Sequence, residues 1–168
     1  THLGHSFPTR RSSDLEDSEV TMKEVYEQAN IYKEKFIGYI DADSESFHGV
    51  MDAFKLPKNN DEEKAIRKET IQNALKHASE TPYKIAENAY RLMDYSEKAV
   101  EHGNKNAVTD AAVSAMMARS AVLAALYNVK INLSSINDSE FVATFEKKVS
   151  LLETNVVERE KQIGRAHV

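Results

Sequence analysis

The chain has 168 residues, 41% of them hydrophobic and 29% charged, which fits one globular domain with a real core rather than a disordered segment. Its formal net charge of −5, with no interior basic cluster, argues against a nucleic-acid partner. Cysteine is absent, which removes disulfides, thiolate metal sites and thiol nucleophiles and is compatible with a cytoplasmic setting.

Residues 1–15 (THLGHSFPTRRSSDL) show no periodicity and read as a non-native or disordered flank, as do residues 163–168 (IGRAHV). The expected domain is 16–162. Without the flanks the balance is 19 basic against 26 acidic residues, a net −7. No apolar run is expected to reach the roughly 20 residues of a membrane span, so no membrane partner is expected.

The whole of 16–162 reads as helix, because Ala, Glu, Lys, Leu and Met dominate while Gly and Pro are scarce. The expected fold is all-α, an antiparallel bundle of about five long helices joined by short connections. The first runs from about Ser18 to Leu56, with an apolar stripe Phe36, Ile40, Phe47, Val50 and Phe54, and closes before Pro57. Asn60 is the expected N-cap of the second, with Glu63 reaching back, and that helix ends near Ser79. Thr81-Pro82 restarts the chain as a third helix, which stops at Gly103, where a left-handed turn is expected. The fourth is alanine-rich, from about Asn106 to Leu133, and the fifth runs from about Ser139 to Lys161.

The alanine-rich helix carries a distinctive face. Asp110, Ser114, Ala118, Ala121, Ala125, Asn128 and Asn132 follow one another at steps of three and four, so they share one side. Small residues let a backbone or a flat ligand approach closely, and the polar ends need partners. Asp43 interrupts the apolar stripe of the first helix at a position that reads as core. Burial there without a partner predicts an acid–base group; an ion pair or a place facing a wet groove is the structural alternative, and the two readings weigh equally. Asp110 is the second carboxylate, either a helix-start residue or a positioned acid–base group. Asn104, Asn106, Asn128 and Asn132 are amide edges suited to a heterocycle. Arg119 is expected either to pair with one of the acids or to extend to water, and Lys58 and Arg67 suit an acidic tail. No histidine pair has metal-ligand spacing, so no metal is expected. Gly-rich phosphate loops, HExxH helices and G-x-S-x-G elbows are missing.

Several of these stretches, taken together, resemble the formiminotransferase-cyclodeaminase C-terminal family. They are Asp43-Ser44-Glu45-Ser46-Phe47, Phe54-Lys55-Leu56-Pro57-Lys58, Arg67, Gly103 to Asp110, and Asn128-Val129-Lys130-Ile131-Asn132-Leu133. The resemblance implies a cyclodeaminase-like helical homodimer acting on a tetrahydrofolate derivative, with no tightly bound cofactor. The activity it implies is formimidoyltetrahydrofolate cyclodeaminase or methenyltetrahydrofolate cyclohydrolase. It also implies Asp43 and Asp110 as catalytic residues, with Asn104, Asn106, Asn128, Asn132, Lys58, Arg67 and Arg119 holding substrate. One departure stands out. The family opens with a Pro-Gly-Gly-Gly segment and an alanine-rich helix, whereas this chain has no Gly-Gly pair, so the expected reading is a chain lacking its first helix. The competing reading is a non-catalytic helical bundle whose alanine stripe is a dimer seam.

Overall fold

The computed structural model describes residues 12–166. Residues 1–11, most of the expected N-terminal flank, and residues 167–168 lie outside the described residues. Four long helices account for nearly all of the rest: α1 (Ser12–Lys55), α2 (Asp61–His102), α3 (Val108–Leu133) and α4 (Ser139–Ala166), with one 3₁₀ turn at Lys105–Ala107. No strand occurs among the described residues.

The expected count was about five, and the difference lies at Pro82. α2 runs straight through it. A proline inside a helix has no N–H to give to the carbonyl four residues back, here Ala78. That carbonyl instead accepts a hydrogen bond from Asn132 Nδ2 of α3 at 2.7 Å. A distant side chain thus replaces the missing donor, and the helix continues instead of restarting.

The ends of α2 follow local rules. Asn60 Oδ1 accepts from the Glu63 amide at 2.8 Å, and Glu63 Oε2 accepts from the Asn59 amide at 2.7 Å. Gly103 closes the helix in an extended conformation (φ −71°, ψ −179°), not the expected left-handed one. Glycine is needed there for space, since a Cβ would collide with the Ala99 carbonyl oxygen. At the other terminus α4 continues past Lys161, and Ile163, expected in a flank, is fully buried.

α2 is the central element and packs against the three other helices, whereas α1 and α3 scarcely touch each other. Side-chain contacts set the registers. Lys98 meets Glu24 at 2.9 Å, Lys35 meets Asn88 at 2.7 Å, and Arg67 Nη2 donates to the Phe54 carbonyl at 3.0 Å, so α1 and α2 are antiparallel. Ser114 donates to Ser96 at 2.7 Å, and with the Asn132–Ala78 bond this makes α3 antiparallel to α2. α1 and α3 therefore run parallel along two sides of α2, with a trough between them.

The stripe expected to bury α1 does so only in part, through Val50 and the half-buried Phe36. Ile40 is 67% exposed, Phe47 60% and Phe54 48%. Beside Val50, α1 is buried through the small residues Ser46 and Ala53. Small residues let two helices approach closely, so the contacting face is not the most hydrophobic one. Asp43 is exposed as a result, which sets aside the buried reading and leaves that of a carboxylate facing a groove.

α3 is also the one described helix with the length and apolarity of a membrane span, counted from Lys105 to Leu133, which the sequence reading missed. In the fold one face of it is buried, with Val122, Leu126 and Val129 fully enclosed, while Met117, Tyr127 and Ile131 are exposed.

Candidate functional site

The trough between α1 and α3 forms a groove of about 460 Å³, within the range of small-ligand sites. α1 contributes Phe36, Tyr39, Ile40, Asp43 and Ser44. Pro82 and Ile85 of α2 make the floor, and Ala121, Ala124, Ala125 and Asn128 of α3 make the far wall. A smaller hollow of about 240 Å³ adjoins it, and Asp43 and Asn128 line both. Ser46, Phe47, Val50, Leu75, Ala78 and Asn132 complete the hollow. The small residues of α3 leave a wall that a flat ring system can approach, and Asp43 and Asn128 stand at its polar end.

The α3 stripe therefore divides in two. Its second half, Ala121, Ala125, Asn128 and Asn132, lines the groove and the hollow. In its first half, Ser114 bonds to the buried Ser96, and Ala118 is buried in the core. The Asn128 side-chain amide and the Asp43 carboxylate make no hydrogen bond to any other described residue, so both are available to a ligand. Asn132 is partly committed, because one N–H of its Nδ2 holds the Ala78 carbonyl, leaving Oδ1 and the second N–H free.

Asp110 stands elsewhere. The α1–α2 and α2–α3 registers put Asp110 opposite α2 near Val100 and Asp43 opposite α2 near Ser79. That offset of some 21 residues corresponds to roughly 30 Å at 1.5 Å per residue. One protomer cannot bring these two carboxylates to one reacting carbon, which corrects the picture of a convergent pair. Asp110 lies in the first turn of α3, where it suits the helix dipole but caps nothing by its side chain. Asn104 and Asn106 share that end. Asn104 Oδ1 accepts from the Asn106 amide at 2.9 Å and caps the 3₁₀ turn, and Asn106 is exposed.

Arg119 lies outside the groove. Its Nη1 stands 3.6 Å from Glu160 Oε2 of α4, so its carboxylate partner is neither Asp43 nor Asp110. Lys58 and Arg67 mark the end of the bundle where α1 stops. Lys58 is exposed and makes no ion pair among the described residues. Arg67 donates to the Phe54 carbonyl and lies over the Phe54 ring at 5.7 Å, which places a cation on the negative end of the α1 dipole. No cluster of three metal-ligating side chains occurs among the described residues.

Two groove features escaped the sequence reading. Tyr39 lines the wall one turn before Asp43, and the buried Asn88 holds its hydroxyl at 2.9 Å. The signal available was position alone: Tyr39 is four residues before Asp43 and so shares its face. A second groove of about 560 Å³ lies between α1 and α2, beside Glu45, His77 and Lys84.

Comparison with known proteins points the same way. The profile of the formiminotransferase-cyclodeaminase family matches residues 7–151. A methenyltetrahydrofolate cyclohydrolase of Methylorubrum extorquens is 37% identical over 123 residues, covering 73% of this chain and 59% of that protein. A formimidoyltransferase-cyclodeaminase of Gallus gallus is 33% identical over 148 residues, 88% of this chain and 27% of that protein. The chain thus spans less than two thirds of the first of these curated relatives and about a quarter of the second. The crystal structure of formiminotetrahydrofolate cyclodeaminase from Thermotoga maritima superposes with a TM-score of 0.77 at 26% identity, over 94% of this chain and 75% of that one.

Proposed function

Since the chain belongs to the formiminotransferase-cyclodeaminase family, we propose that it works on a tetrahydrofolate derivative bound in the groove between α1 and α3. The reaction is ring closure of 5-formimidoyltetrahydrofolate with release of ammonia, or hydration of 5,10-methenyltetrahydrofolate to 10-formyltetrahydrofolate. Both pass through the same methenyl cation, and the two relatives described above carry one name each. The observation that carries the reading is the unpaired Asp43 carboxylate facing a wall of alanines with the free Asn128 amide beside it.

In this reading Asp43 is the base. During ring closure it takes the proton from N10 as the N10–carbon bond forms. During hydration it takes a proton from the water that attacks the cationic carbon. Asn128 and the free Oδ1 of Asn132 hold the pterin edge, and Lys58 and Arg67 attract the glutamate tail toward the end of α1. No resident cofactor or metal is needed for either reaction.

A homodimer and a cytoplasmic location belong to the same reading. Phe47 and Phe54 on α1 and Met117, Tyr127 and Ile131 on α3 are large apolar residues left exposed, a surface of the kind that mates with another protein. A second copy is the only source from which Asp110 can reach an Asp43 groove.

The test is spectroscopic. Purified protein is given 5-formimidoyltetrahydrofolate while methenyl absorbance and ammonia are followed, and in parallel it is given methenyltetrahydrofolate. Methenyl formation with ammonia supports the cyclodeaminase, and accelerated methenyl consumption supports the cyclohydrolase. No turnover of either by a folded protein would favour the non-catalytic bundle.

A further inference from the structure

The Asp43 groove holds a second group with a transferable proton. Tyr39 sits one turn before Asp43 on α1 and lines both this groove and the second one between α1 and α2. Its hydroxyl oxygen accepts a hydrogen bond from Asn88 Nδ2 at 2.9 Å. Asn88 is only 7% exposed, and its amide is used on both sides. Nδ2 also donates to the Lys84 carbonyl at 2.7 Å, and Oδ1 accepts from Lys35 Nζ at 2.7 Å.

This set of partners fixes which way the amide faces. An ammonium only donates and a backbone carbonyl only accepts. The amide oxygen must therefore face Lys35, and the amide nitrogen must face Lys84 and Tyr39. Tyr39 is then the acceptor in its bond with Asn88, and its own O–H proton is directed elsewhere. Among the described residues no group accepts that proton. Burying an amide and satisfying it fully is demanding, and here the result is one half-buried phenol held with its proton free. Burial pushes the Tyr39 pKa above its ordinary 10.0, the Glu87 charge adds to this, and the Arg91 charge opposes it. The phenol therefore keeps its proton at neutral pH.

We propose that Tyr39 touches the bound folate as the proton donor of this groove and that Asn88 is its positioning residue. The proposal rests on reading the groove as a folate site. In ring closure, N10 bonds to the formimidoyl carbon and Asp43 takes the N10 proton, while the bond from carbon to the departing nitrogen breaks. That nitrogen takes up two protons, delivered through Tyr39, one matching the proton lost from N10 and one from solvent. It leaves as ammonia, and the methenyl carbon keeps the positive charge. In hydration, the bond from water oxygen to carbon forms and the N5–carbon bond breaks. Water loses two protons: one reaches solvent through Asp43, and N5 gains one through Tyr39. Both carboxylate and phenol then come from one chain, and no carboxylate from a second copy is required.

The experiment measures kcat and KM with 5-formimidoyltetrahydrofolate and with methenyltetrahydrofolate for the wild type, Tyr39→Phe, Asn88→Ala and the double variant. Circular dichroism checks that each is folded. Tyr39→Phe is expected to lower kcat by roughly 100-fold or more, the scale of a lost acid–base group, with KM little changed. Asn88→Ala is expected to lower kcat in the wild type but to cost nothing further when Tyr39 is already Phe. A residue that merely supports the fold would lower both backgrounds alike. An active wild type with an equally active Tyr39→Phe overturns the donor role alone, and equal Asn88→Ala losses in both backgrounds overturn the positioning role. A folded wild type that turns over neither substrate overturns the folate reading beneath both.

Discussion

The two ends of α3 carry similar residues in similar periodicity, and the fold treats them differently. At the Asp110 end α3 lies closely on α2: Ser114 bonds to the buried Ser96, and Gly103 lets the chain turn against the Ala99 carbonyl. At the Asn128 end the same small-residue face looks across an open trough to α1. A stripe of alanines is a packing seam where another helix fills it and a ligand wall where the neighbouring helix stands back. The stripe alone does not say which.

The largest expected contrast is catalytic. Asp43→Asn should lower turnover by about 100-fold or more, the scale of a removed general base. Asp110→Asn, tested in the same methenyl-absorbance assay, should leave turnover nearly unchanged. A loss of Asp43 size at Asp110 would show that a second copy supplies the carboxylate.

The next contrast concerns stability. Asn132→Ala leaves the Ala78 carbonyl without a donor and should destabilise by about 1–3 kcal/mol, the cost of an unsatisfied partly buried group. Pro82→Ala restores a backbone N–H to that carbonyl. In the Asn132→Ala background it should recover most of the loss, and urea unfolding of the four proteins measures the coupling. At the opposite end, Gly103→Ala forces a methyl group against the Ala99 carbonyl and should destabilise by about 1–3 kcal/mol. That strain has no partner residue whose change relieves it, which separates the two ends by thermal unfolding of single and double variants.

The smallest effect is pH-dependent and belongs to the turn after α3. The Asp138 carboxylate is held below its ordinary 3.8 by a hydrogen bond from Lys76 at 2.6 Å and by the Phe141 amide. A depressed folded-state pKa gives stability that is fully present above 3.8 and is lost as pH falls through the lowered value. The Tm gap between wild type and Asp138→Asn should therefore hold from neutrality down to about 3.8 and shrink below it, and a gap that stays constant through that acid range would refute the pairing.

Much of the fold was legible in the sequence because its signals are local. The Asn60 cap, the stop at Gly103 and the helical composition all act within a few residues. What escaped depended on distant partners. Pro82 reads as a helix restart until Asn132, 50 residues later, supplies the missing donor. Asp43 reads as buried because Ile40 and Phe47 flank it, yet α1 packs through Ser46 and Ala53. For the site, the face shared by Ala121, Ala125 and Asn128 was readable from spacing, and the separation of Asp110 from Asp43 was not, since it follows from interhelical register. Arg119 could not be assigned because its partner, Glu160, lies on another helix.

The most direct test blocks the trough at one end and leaves the other alone. Ala124→Trp places a large ring in the groove at an exposed wall position, and Thr109→Trp places the same ring beside Asp110. Equilibrium binding of tetrahydrofolate is then measured for both variants and the wild type. Weakening of more than about tenfold, or 1.4 kcal/mol, in Ala124→Trp alone is the predicted result. Unchanged binding in Ala124→Trp, or a loss confined to Thr109→Trp, would contradict a folate site between α1 and α3.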